Sequence, residues 1–175
     1  MRPYAGTPPF GTVFPVNPVV SSYFDALNRH DLDAAAALLD ADVVEEITGV
    51  GILRGPDEVR GFFDGLMKAA PDMEVIVDRT VSEGDTDVVQ WRMNGTFTGG
   101  PLFNGVQPTG GRLQLRGCDV IDVRDGKIVR NTAFQDGLEL ARTLGMLPAQ
   151  DSAAEKAMIA AFNGATKLRQ ALRRD

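Results

Sequence analysis

Acidic side chains are the groups through which this 175-residue chain can move protons, because imidazoles and thiols are nearly absent: it has one cysteine, Cys118, and one histidine, His30. One of each cannot build a thiolate or imidazole metal cluster or a paired-cysteine redox centre, and a Ser-His-Asp or Cys-His triad would have to run through His30. His30 sits in a polar turn between two helical segments and reads as a surface residue. Cys118, in a strand-like run with no nearby cations, reads as an inert small side chain. Asp119 is different. Alternation from Leu115 and Gly117 places it on the same face as Ile121 and Val123. A carboxyl on such a face is costly unless it is paired or protonated.

The elements that must position such a group follow from caps and periodicity. Asn17-Pro18 is a strong helix start, and Val19, Val20, Tyr23, Phe24 and Leu27 share one face of a helix over 18–28. Asp31 caps a second helix through Leu39, whose alanine run allows close packing, so the two form a helical hairpin. A short β-prone run over 43–47 precedes Pro56, which opens a third helix to about Ala69 with Val59, Phe62, Phe63 and Leu66 as its stripe. Strand-like runs over 73–81, 86–97, 112–123 and 127–136, parted by turn signals, predict antiparallel neighbours, with Gly95 and Gly117 as bends or bulges. Leu138, Leu140, Ala141 and Leu144 suggest a closing helix, and the stretch 99–111 is a strand connection or pocket lid. Ser152 to Glu155 matches a capping box that opens an amphipathic tail helix. Helices first and strands afterwards predict an α+β domain with helices on one face of a curved antiparallel sheet.

Composition narrows the partners. With 18 Lys+Arg against 24 Asp+Glu the formal net charge is −6, which leaves no excess cation for a phosphate backbone and argues against nucleic acid. Hydrophobic residues at 43% and charged residues at 24% predict a soluble globular protein with no membrane association. The first 17 residues hold four prolines and no apolar run long enough for a signal-peptide core, which predicts an extended arm and a cytoplasmic location.

Several strings, in order, resemble the nuclear-transport-factor-two-like superfamily and its SnoaL-like polyketide cyclase branch over about 18–148. They are Ser22 to Asn28 with Asp31 to Asp33; Leu53-Arg-Gly-Pro-Asp57; Pro108 to Arg112; Arg116 to Asp119; Asp125 to Val129; and Asp136 to Gly145. The resemblance implies a cone of curved antiparallel sheet closed by three helices around a deep pocket, with the N-terminal arm (1–17) and the C-terminal helix (149–175) outside it. It also implies candidate catalytic residues. Asp136 matches the catalytic aspartate of SnoaL-like cyclases, although Asp before a helix is equally a common N-cap. By similarity to ketosteroid isomerase, Asp119 matches a protonated aspartic acid, Tyr23 a phenol, and Glu46 a carboxylate base if one residue is dropped from the preceding loop. Arg92 and Asn94 are similar to the water-activating Arg and Asp of limonene epoxide hydrolase, but an amide in place of the acid cannot accept a proton. Arg92, Asn94, Trp91 and Phe63 are the candidate substrate-binding residues, Trp91 being also a natural core side chain.

Removing a proton alpha to a carbonyl needs a carboxylate base and donors for the developing enolate oxygen, and a neutral acid with a phenol can supply the latter. The expectation is a cyclase or isomerase acting on a small hydrophobic carbonyl compound, polyketide-like or steroid-like. Asp136 or Glu46 would be the base, and the chemistry calls for no cofactor and no metal. The alternatives are a non-catalytic small-molecule-binding or interaction module on the same fold and, third, an epoxide hydrolase. A homodimer is expected, because exposed sheet faces in this superfamily are often covered by a second copy.

Overall fold

Asn17 starts the first helix as its type predicts: Oδ1 accepts the Val19 N–H at 3.0 Å, and Pro18 occupies a first-turn position where no amide hydrogen is required. The computed structural model describes residues 16–100 and 105–173. Helix α1 (Pro18–Asn28) buries Val20, Tyr23, Phe24, Ala26 and Leu27, and α2 (Leu32–Ala36) is capped by Asp31 through the Ala34 N–H. Most of the expected arm, up to residue 15, lies outside the described residues.

The second helix ends earlier than its alanine run predicts. Leu39 opens strand β1 (Leu39–Ile47) instead, with its side chain in the core and its backbone paired to Ile128. Sheet pairing and burial outweigh local helix propensity there. Strand β2 (Gly51–Arg54), which no local pattern predicted, returns antiparallel along β1 after a turn in which Gly49 has φ +82°. Helix α3 (Gly55–Ala69) follows and packs against β1.

Strands β3 (Glu74–Glu83), β4 (Thr86–Thr96), β5 (Arg112–Arg124) and β6 (Lys127–Gln135) form the expected antiparallel series. Strand β1 joins its edge in parallel with β6, giving one six-stranded sheet in the order β2-β1-β6-β5-β4-β3. The sheet is curved and unclosed, and the fold is α+β. Its core lies between the sheet and α1 to α3, with Val43, Val59, Val89, Phe97, Leu113 and Ile121 fully buried.

The register shifts fall between Val77 and Arg79, Leu39 and Val44, and Asp122 and Val123, so no bulge lies at Gly95 or Gly117. Both glycines lie in unbroken register and serve close approach. A Cβ on Gly117 would stand 2.2 Å from Cζ2 of Trp91, and one on Gly95 would stand 3.2 Å from the Ala70 Cβ. Helix α4 (Gly137–Thr143) lies against β5, and α5 (Ala153–Leu172), capped by Ser152, buries none of its side chains.

Candidate functional site

Strand pleat decides which side chains meet inside the cone. From β4 the inward set includes Val89, Trp91 and Met93; from β5, Leu113, Leu115, Asp119, Ile121 and Val123; from β1, Val43, Glu45 and Ile47. The shift at Asp122/Val123 changes the parity of β6, so that Ile128, Asn131 and Ala133 all face inward. Helix α1 adds Tyr23, Phe24 and Leu27 from above, and α3 adds Phe62, Phe63 and Leu66.

Part of this set, with Trp91, Met93, Leu113, Leu115 and Asp119 from the sheet and Tyr23, Phe62 and Phe63 from the helices, lines a narrow cavity of about 70 Å³. Its lining is apolar except for Tyr23, Trp91, Asp119 and Gln135. The Tyr23 and Phe63 rings meet edge to face at 6.4 Å, and Phe62 and Phe63 do so at 5.3 Å. Of the candidates drawn from the sequence, the fold brings Tyr23, Phe63, Trp91 and Asp119 together here.

Asp119 is 7% exposed and held at both oxygens. Trp91 Nε1–H donates to Oδ1 at 2.8 Å, and Asn131 Nδ2–H donates to Oδ2 at 3.2 Å. The indole reaches Asp119 because Gly117 leaves room for the ring. Burial pushes the Asp119 carboxyl up to about 6, against the two donors, which favour its ionised form. Glu45, 2% exposed, stands opposite Asn131 in the β1 and β6 register. Burial first, then the nearby Asp119 charge, push Glu45 up to about 8, with the Asn131 amide opposing. The Tyr23 hydroxyl is buried without a hydrogen-bond partner, and burial together with Glu45 and Asp119 raises it well above its ordinary value. Burial thus works against the ionised form of all three groups in this largely apolar surrounding.

The other candidates lie elsewhere. Glu46 falls on the opposite face of β1 from Glu45, its side chain 49% exposed and 3.7 Å from Arg130. Placing the acid one residue further along reverses the face, because the pleat has a period of two. Asp136 is exposed and caps α4, Oδ1 accepting the Glu139 N–H at 2.9 Å, so of its two readings the N-cap is the one seen. Arg92 points outward and grips Asp78 through Nε and Nη2. Asn94 shares that outward parity, so the pair does not meet the cavity. Reasoning from sequence missed Glu45 and Asn131. The alternation Val43, Glu45, Ile47 was the available signal for the first; the second depends on a register shift that no local pattern announces.

Among the described residues no group of three or more His, Cys, Asp or Glu is placed to hold a metal ion, and no helix is long and apolar enough to cross a membrane.

Residues 20–131 match the family model of the SnoaL-like domain, and the chain belongs to that family. Its fold is the nuclear-transport-factor-two-like cone. It is similar to the structure of AclR, a proposed hydroxylase from Streptomyces galilaeus, at 26% identity and TM-score 0.67 over 89% of this chain and 92% of that one. IdmH, a proposed polyketide cyclase from Streptomyces antibioticus, aligns at 26% identity and TM-score 0.63 over 73% and 96%. A limonene-epoxide-hydrolase-like enzyme of M. tuberculosis shares the fold at 22% identity and TM-score 0.59 over 74% and 89%. No curated protein matches the chain.

Proposed function

We propose that the protein is a cofactor-independent acid/base enzyme, a cyclase or isomerase, acting on a small hydrophobic carbonyl compound of polyketide-like or ketone type. One observation carries this reading: the Asp119 carboxyl and the unpartnered Tyr23 hydroxyl line the same apolar cavity. Asp119 is then the general base, in place of Asp136 or Glu46. It takes the proton from the carbon alpha to the substrate carbonyl, while the Tyr23 O–H donates to the oxygen on which charge develops. The proton returns from Asp119 to another carbon in an isomerisation, or to the oxygen formed when the enolate carbon attacks a second carbonyl in a cyclisation. An apolar wall keeps water from competing for either donor. The likeness to IdmH, a proposed polyketide cyclase, supports a polyketide-like substrate.

A panel of β-dicarbonyl and unsaturated-ketone compounds tests this reading. Turnover by the wild type that falls ~100-fold or more in Asp119→Asn and ~10-fold or more in Tyr23→Phe is the expected result. Equal conversion by all three proteins refutes it, and tight binding of an apolar ligand without turnover establishes the binding-module alternative instead. The outward face of β3 to β6 exposes Val81, Val88 and Phe134, and a second copy of the chain is proposed to cover it. Sedimentation as an 18.8 kDa species at micromolar concentration would exclude that dimer.

A further inference from the structure

Glu45 is a buried acid that the reaction above does not use. It is absent from the cavity lining, and none of the arginines, lysines or His30 among the described residues shifts it or Asp119. The groups that face it are Asn131 from β6, Asp119 from β5 and Tyr23 from α1. Leu53 stands opposite it on β2. Helix α3 brings Val59 and Phe63 to the core, while its cations pair elsewhere, Arg60 with Asp33 and Lys68 with Asp64. Two carboxylates closed in together without a cation cannot both ionise cheaply.

The amide between them shows where the proton belongs. Asn131 Nδ2–H donates to Asp119 Oδ2, Glu45 stands opposite Asn131 in the β1 and β6 register with both side chains buried, and Asn131 Oδ1 has no hydrogen-bond donor. A carboxylate at Glu45 has no hydrogen to give; a carboxylic acid has one. An orphaned buried acceptor beside an acid with no counter-ion is satisfied in one step by a proton on that acid.

We propose that Glu45 and Asp119 form a dyad sharing a single proton, kept on Glu45 and donated to Asn131 Oδ1, so that Asn131 in turn holds Asp119 as the carboxylate facing the cavity. Glu45 and Asn131 are positioning residues that act through Asp119. This deepens the acid/base reading and rests on it for its catalytic meaning, but its physical content is a proton count that needs no substrate.

Trp91 reports that count directly. It is the single tryptophan of the chain and its indole N–H is bonded to Asp119, so the full-length protein gives one indole 1H–15N resonance that follows the charge of the dyad. In the wild type the resonance is expected to move in two steps, one near pH 6 and a second near pH 8. Glu45→Gln, which keeps a donor for Asn131 and cannot ionise, is expected to abolish the upper step and leave the lower one within about half a pH unit, a range in keeping with a partner that was already neutral. A wild-type resonance flat from pH 5 to 9, or an upper step that persists in Glu45→Gln, overturns the proposal. The wild-type curve decides it even where the variant does not fold. A protein that titrates in two steps but converts no substrate refutes the catalytic reading alone.

Discussion

Glu45 and Glu46 are adjacent in the chain and identical in chemistry, yet they occupy opposite sides of one strand. Glu46 faces water, with Arg130 within 4 Å and half of its side chain exposed, and it is an ordinary surface acid. Glu45 is buried in the core beside Asp119 and Asn131, where its ionised form loses hydration and gains no cation. The same contrast recurs on β4, where Arg92 outside grips Asp78 and Trp91 inside donates to Asp119. What a side chain does here is set by the face of the sheet it lies on, and one residue of register separates a surface ion pair from a candidate catalytic group.

The widest separation between the two faces should appear in activity. Asp119→Asn is expected to lose ~100-fold or more in kcat/KM, whereas Glu46→Gln stays within about two-fold. The wild-type profile should rise as Asp119 ionises near pH 6 and fall as Glu45 ionises near pH 8 and a second negative charge opposes the developing oxyanion. Steady-state kinetics of both variants across pH 5 to 9 measures this.

Stability should separate Glu45 from Glu46 next. The Glu45 acid has its folded value raised from 4.5 to about 8, so the unfolded chain binds fewer protons than the folded one between those values. The stabilisation is complete below about 4.5 and is lost as pH rises through about 8, on the order of a few kcal/mol at ~1.4 kcal/mol per unit. Glu45→Gln should therefore show a shallower fall than the wild type over this window by chemical denaturation, and Glu46→Gln should track the wild type.

Gly117→Ala probes the inner face through packing. Its methyl would overlap the Trp91 ring and lie 2.7 Å from the Phe134 carbonyl oxygen, so a loss of ~1–3 kcal/mol is expected, with a shifted Trp91 fluorescence maximum as the indole leaves Asp119. Unchanged stability and emission would mean that the ring has room to move. The smallest effect is assigned to Asp136→Ala. Loss of the α4 cap should cost ~1 kcal/mol in a thermal melt and leave kcat/KM within about two-fold.

The local signals in this sequence carried the helix starts and the antiparallel series from β3 to β6, because caps and alternation act over a few residues. Asn17, Asp31, Asp136 and Ser152 all cap where their types suggest. Asp119 was legible as a buried acid for the same reason: an acid in phase with Leu115, Ile121 and Val123 has to face the core. Where nonlocal pairing decides, the signals failed. Strand β1 takes Leu39 from a helix-prone run because Ile128 pairs with it, and β2 exists only as a partner for β1.

The site divides along the same line. By itself the sequence determined that carboxyls must carry any proton chemistry, since one cysteine and one histidine leave little else, and that Asp119 would be buried among apolar neighbours. Only the tertiary structure decided which acids meet. Glu45 lies 74 positions from Asp119 in the chain, and Asn131 reaches both because a register shift on β6 turns it inward. Proton affinity depends on distance, burial and partners in space, and these are properties of the assembled sheet rather than of any segment of it.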